Sequence, residues 1–130
     1  MLIGFTNGCF DLLHEGHRHF LRECREHCDR IVVGVNSDPS VRRLKGKGRP
    51  IENEFQRAVN LLKLAEMVCI FDTEAELLEM IEELNPDMIF KGEEYAGKDV
   101  VGSDIAEVVL IPMLPNFSTT LEVAKRCSSG

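Results

Sequence analysis

Short apolar runs alternate with amphipathic stretches along the chain. The apolar runs are residues 2–6, 30–35, 67–71, 87–90 and 107–111. The run 30–35, R-I-V-V-G-V, is rich in β-branched residues, as a strand covered on both faces should be. Between the runs, apolar residues recur at helical spacing. Leu21 and Cys24 do so within 15–28, Phe55, Val59, Leu62 and Ala65 offer one face within 53–65, and Leu77, Leu78 and Ile81 point inward from 73–84. Thr73 stands where a helix N-cap belongs, and Asn85-Pro86 closes that helix. Residues 39–44 predict a short helix, Ser118 or Thr119 opens a last one, and the glycine-rich stretch 92–104 reads as a loop.

Strands separated by helices predict the α/β class. The expected architecture is a Rossmann-like, doubly wound sheet of five parallel strands in three α/β/α layers, with right-handed crossovers. Ligands of such sheets lie beyond the carboxyl ends of the strands, where the strand order reverses. Residues 7–17, 91–95 and 116–120 fall at that edge. No internal repeat or linker interrupts the pattern, so residues 1–130 read as a single domain, long enough to bury roughly two-thirds of its unfolded surface.

Charge narrows the partners. The formal net charge of −7 excludes a general nucleic-acid binder, which needs a basic face. Arg42, Arg43, Lys45, Lys47 and Arg49 nevertheless cluster in one short segment, and a basic loop in an acidic protein suits a small anionic ligand. No apolar run reaches the roughly 20 residues of a membrane span, and no basic segment followed by an apolar stretch opens the chain. A cytoplasmic protein is expected, with its five cysteines as reduced thiols.

The chemistry concentrates at Gly8 to His17, G-C-F-D-L-L-H-E-G-H, which follows the first strand and leads into the first helix. His14 and His17 stand about one turn apart at a helix start, able to face one ligand. A helix N-terminus contributes backbone N–H groups and a partial positive charge, and Gly16 allows close approach of a phosphate. Two imidazoles donating to one phosphate can stabilise charge that builds during its transfer. A structural histidine pair and a zinc site are the rivals. The spacing is not H-E-x-x-H, and no cysteine pair completes a tetrahedral ligand set. No G-x-x-x-x-G-K-[ST] phosphate cradle occurs either.

The run N-G-C-F-D-L-L-H-E-G-H resembles the H-x-G-H signature of the cytidylyltransferase-like nucleotidyltransferase superfamily. V-N-S-D at 35–38, R-L-K-G-K-G-R-P at 43–50, Gln56-Arg57, K-G-E-E-Y at 91–95 and S-T-T at 118–120 follow in family order. Together they are most similar to the adenylyltransferases that activate heptose 1-phosphate to ADP-heptose, with glycerol-3-phosphate cytidylyltransferases next.

The resemblance implies a division of roles. His14 and His17 would hold the nucleotide's phosphates and stabilise the transition state. Lys45 and Lys47 match a lysine loop that binds phosphates of both substrates. Ser118, Thr119 and Thr120 match a segment that binds the β- and γ-phosphates, and Arg57 an arginine near the phosphates. Asn7, Gly8, Cys9, Phe10 and Gly16 complete the nucleotide loop, while Gly92 and Glu94 would border the base. Asp11 would help position the acceptor or a hydrated metal, Asp38 would join it at the acceptor, and no residue is assigned to a resident metal.

The expected reaction joins AMP from ATP to a sugar or polyol phosphate with release of pyrophosphate, assisted by Mg²⁺ as cofactor. Positioning and charge neutralisation carry such chemistry, without a protein nucleophile. A CTP-dependent transferase and a non-catalytic nucleotide-binding module are the alternatives. Relatives are commonly dimers, so a homodimer belongs to what the resemblance implies. One departure bears on base choice: Glu93-Glu94 stand where such relatives usually carry an aspartate. Residue by residue, the bland readings are a solvated basic turn at 42–49, turn geometry at Asn36 and Asp38, and a simple N-cap at Ser118 to Thr120.

Overall fold

A computed structural model describes residues 1–112. Its elements run β1 (Ile3–Gly8), α1 (Glu15–Arg25), β2 (Arg30–Asn36), α2 (Asp38–Lys45), α3 (Glu54–Leu61), β3 (Met67–Phe71), α4 (Glu74–Leu84), β4 (Met88–Gly92), a single 3-10 turn (Glu93–Tyr95) and β5 (Glu107–Ile111). The expected last helix lies outside the described residues.

All strands pair in parallel, in the order β3-β2-β1-β4-β5. The alternation along β2 shows how one strand serves two layers. Ile31, Val33 and Val35 join Phe20, Leu21, Cys24 and Leu61 on one face, whereas Val32 joins Phe5, Leu77 and Ile81 on the other. Helices α1 and α3 thus cover one side and α4 the other, which is the predicted three-layer arrangement. Gly4 matters to this packing, because a Cβ there would run into the ring of Phe90.

Three strands are longer at their carboxyl ends than the sequence pattern predicts: β1 includes Asn7 and Gly8, β2 includes Asn36, and β4 includes Lys91 and Gly92. The polar residues there fail the apolar criterion, yet the backbone stays extended. Ladder pairing of β1 with β4 stops at Phe5↔Ile89. Beyond it the strands are linked through side chains, Thr6 Oγ1 donating to the Phe90 carbonyl at 2.9 Å and Lys91 Nζ to Asn7 Oδ1 at 2.8 Å. The strand order reverses at β1/β4, so this splay is the crevice where a doubly wound sheet accepts ligand.

Two expectations are overturned, the smaller at Leu78, which the pattern points inward but which is 38% exposed. The predicted inward face of 53–65 is turned outward: Phe55 is 69%, Val59 52% and Leu62 54% exposed, while Arg57 and Leu61 are fully buried. Of the expected set only Ala65 packs inside. The helix ends at Leu61 and presents its arginine to the sheet, because that arginine has buried acceptors to satisfy.

Candidate active site

The loop between β1 and α1 holds an unusual backbone. Phe10 and Leu12 have φ of +49° and +55°, a region that costs an L-residue with a Cβ roughly 1–2 kcal/mol. Asp11, between them, is completely buried and anchors the loop. Its Oδ2 accepts from Arg49 Nε at 3.2 Å and from the Ile51 N–H at 2.8 Å, and its Oδ1 from the Glu52 N–H at 2.9 Å. The phenyl ring of Phe10 is thereby driven into the core and meets His17 edge-on at 5.3 Å.

His14 is the N-cap of α1. Its Nδ1 accepts the Gly16 N–H at 3.0 Å, while His17 Nδ1 accepts the His14 N–H at 3.2 Å, a capping box made of two imidazoles. These bonds assign the Nδ1 atoms as acceptors, so each neutral ring carries its proton on Nε2 and presents a donor away from the helix. The rings stack with centroids 3.8 Å apart and planes inclined by 20°. Burial, then the neighbouring His14, Lys45 and Arg18, push the His17 pKa down to about 3. His17 is therefore a neutral hydrogen-bond donor at physiological pH.

Arg57 joins the carboxyl ends of β1 and β2. Its Nη1 donates to the carbonyls of Cys9 (2.8 Å) and Asn36 (2.7 Å), its Nε to the Glu52 carbonyl (2.9 Å) and its Nη2 to Asp38 Oδ1 (2.8 Å). With the side chain fully buried, Arg57 acts on the site through the backbone it holds. Cys9 is kept a thiol, since burial raises its pKa against the lowering influence of Lys45 and Arg57.

A cavity of about 430 Å³ opens over this framework, lined by Asn7, Gly8, Cys9, Phe10 and His17 from the first loop, Lys45 from the end of α2, and Gly92 and Glu94 from the far side. The lysine loop turns on Gly46 and Gly48, with φ of +91° and +87°.

The cytidylyltransferase-like family matches residues 5–119. The chain belongs to this family. It is accordingly a nucleotidyltransferase domain. It is 48% identical over 130 residues to the bifunctional protein HldE of Hyphomonas neptunium and equally to that of Rhodospirillum rubrum, covering 95% of this chain and 26% of each relative. The chain thus spans about a quarter of the length of the curated relatives it matches. Among solved structures, the lipopolysaccharide core biosynthesis protein of Thermoplasma volcanium is similar with a TM-score of 0.67 and 28% identity, covering 88% of this chain and 97% of that one. A pantoate-beta-alanine ligase from Francisella tularensis shares the fold alone, with a TM-score of 0.61 at 14% identity, covering 99% of this chain and 70% of the ligase.

Within this cytidylyltransferase-like domain the expected site residues separate into three groups. Asn7, Gly8, Cys9, Phe10, His17, Lys45, Gly92 and Glu94 converge on one cavity, with His14 stacked behind His17. Asp11, Gly16, Asp38 and Arg57 are engaged in the framework, and Lys47 stands exposed between the two glycines. Ser118, Thr119 and Thr120 lie outside the described residues. Among the described residues no group of three or more His, Cys, Asp or Glu could hold a metal ion.

Sequence reasoning placed Lys91, Arg49 and Asn36 in motif blocks but gave none of them a role of its own in the site. Lys91 is 9% exposed, with its ammonium 4.9 Å from the centroid of the Tyr95 ring. Burial pushes its pKa down to about 8, against the opposing pull of Glu94. A lysine ending a buried strand was the available signal.

Proposed function

We propose that this domain transfers AMP from ATP to a sugar phosphate of the heptose 1-phosphate kind, releasing pyrophosphate. The observation that carries the reading is the His14–His17 capping box, which leaves the proton of each neutral ring on Nε2 and sets His17 in the cavity wall with His14 stacked against it. An oxygen of the acceptor phosphate attacks the α-phosphorus, the new P–O bond forms, and the bond to the bridging oxygen of the β-phosphate breaks. The electron pair leaves on pyrophosphate. His17, uncharged and already desolvated, donates to the oxygens on which charge accumulates, without reorganisation during the step. Lys45, in the lining of the same cavity, adds a cation. No protein nucleophile is required, consistent with a Cys9 thiol held protonated.

Mg²⁺ as cofactor fits as a counter-ion carried on the triphosphate, since magnesium in such sites takes few protein ligands. Asp11 does not fit as its ligand, because both of its oxygens already accept hydrogen bonds; Glu94 is the carboxylate that lines the cavity. A cation there would screen the phosphates' mutual repulsion.

The adenylyl preference rests on the order of the motif blocks and on the similarity to HldE proteins. A CTP-dependent transferase of glycerol 3-phosphate is the second reading, favoured by the family described as cytidylyltransferase-like. Pyrophosphate release from ATP and from CTP, over a panel of sugar 1-phosphates and glycerol 3-phosphate, tests both. Thermal unfolding with each nucleotide adds an independent measure, since saturation to 100 times the dissociation constant contributes about 2.7 kcal/mol. Turnover with ATP and a sugar 1-phosphate is expected; release of pyrophosphate in no combination would return the domain to a nucleotide-binding module.

A further inference from the structure

A second cavity, of about 520 Å³, adjoins the first and contains neither His14 nor His17. It reaches from Ser40 and Arg43 on α2 to Asp72 and Thr73 after β3 and to Asp99 beyond the 3-10 turn. The two cavities share Asn7, Asn36, Leu44, Lys91 and Tyr95. Lys91 is the one cation among these shared residues. Asn7 Oδ1 fixes its Nζ at 2.8 Å and the Tyr95 ring flanks it, so the ammonium stands in the partition between the two spaces.

We propose that Lys91 is a catalytic residue that contacts phosphate oxygens of both substrates, with the nucleotide in the 430 Å³ cavity and the phosphorylated acceptor in the 520 Å³ cavity. The inference rests on the transferase reading above and deepens it. An acceptor phosphate and an α-phosphate must come together against their own repulsion, and a cation placed between them offsets it at the point of bond formation. The second cavity suits a polyhydroxy compound: Asp99 offers acceptors to hydroxyl groups, the Arg43–Asp72 ion pair (3.0 Å) a polar wall, and Val100 and Val101 an apolar lining. Asn7 holds the ammonium by a neutral amide oxygen, so this contact leaves the charge in place, and Glu94 is the carboxylate that acts on it across the cavity lining. A compact ammonium with three donors can serve two phosphates at once.

The experiment compares wild type with Lys91→Met, Lys91→Arg and Asp99→Trp, in ATP with a panel of sugar 1-phosphates. Lys91→Met should lose at least about 10²-fold in kcat/KM, on the scale of one transition-state donor, while ATP still raises its melting temperature. Lys91→Arg should recover part of that loss, because the charge returns in a different shape. Asp99→Trp, on an exposed lining residue of the second cavity alone, should raise the acceptor KM and leave ATP-induced stabilisation unchanged. Turnover within three-fold of wild type in Lys91→Met, or an unchanged acceptor KM in Asp99→Trp, overturns the proposal. Equal loss in Lys91→Met and Lys91→Arg together with lost ATP stabilisation makes Lys91 structural and overturns it too. A wild-type domain that releases pyrophosphate with no nucleotide and acceptor sinks the transferase reading itself.

Discussion

His14 and His17 cap the helix that they also equip for chemistry. Each ring uses Nδ1 to accept a backbone N–H, and the rings lie 3.8 Å apart. One structural role therefore fixes the tautomer that the functional role needs, because the proton is left on Nε2 in both. The two roles can be separated by substitution.

His14→Ala and His17→Ala should each lower kcat roughly 10²-fold or more, as loss of one oxyanion-type donor does. His14→Asn should keep much of the stability, since asparagine caps helices well, yet remain slow. Steady-state kinetics beside thermal unfolding separates the effects. Both alanine variants within a few-fold of wild type would remove the histidines from the mechanism.

His17 also sets a pH dependence of stability. Its folded-state pKa of about 3 lies below the ordinary value of 6.5, so the unfolded chain binds more protons between those values. Stability should fall as pH drops from about 6.5 towards 3. Asp72, lowered by the Ser37 hydroxyl and Arg43, contributes a further loss as the medium becomes acid enough to protonate it. Chemical denaturation as a function of pH measures the slope. His17→Gln should be flatter through the upper part of this window, and an unchanged slope would place His17 in a more open environment than the stacked ring.

Arg57→Met should destabilise the domain by about 3 kcal/mol or more, because the substitution leaves the carbonyls of Cys9 and Asn36 and the Asp38 carboxylate without their donor. Arg57→Lys should recover only part of this, since one ammonium cannot reproduce the four-bond geometry. The midpoint of urea unfolding reads it. A loss below about 1 kcal/mol in Arg57→Met would show that the guanidinium is not what holds the strand ends together.

The exposed stripe of α3 gives a fourth test. Phe55→Ser and Val59→Thr should change stability by less than about 0.5 kcal/mol, whereas Leu61→Ala should cost about 2–5 kcal/mol. The opposite ranking would restore the face that periodicity alone predicts.

The α/β alternation, the parallel sheet and the H-x-G-H loop were legible because they rest on local facts: β-branched runs, helical spacing and a motif contiguous in the chain. The α3 face was not. Phe55, Val59 and Leu62 satisfy helical periodicity, and nothing local reveals that buried carbonyls from β1 and β2 await the guanidinium of Arg57 on the other side. The role of Lys91 was missed for a related reason, since its burial depends on Asn7 and Tyr95 meeting it across the crevice.

By itself, then, the chain determined its class, the succession of apolar runs that become strands and the loop that carries two imidazoles, all properties of spacing along a line. Only the tertiary structure decided which polar groups close the framework and which face a cavity. Asp11 and Arg57 have the residue types of ligands, but burial forces every such group to find protein partners, and those partners come from strands and loops distant in sequence. Lys91 keeps its charge at the meeting of two cavities because the splay of β1 from β4 leaves a gap there, a matter of register that no single segment records.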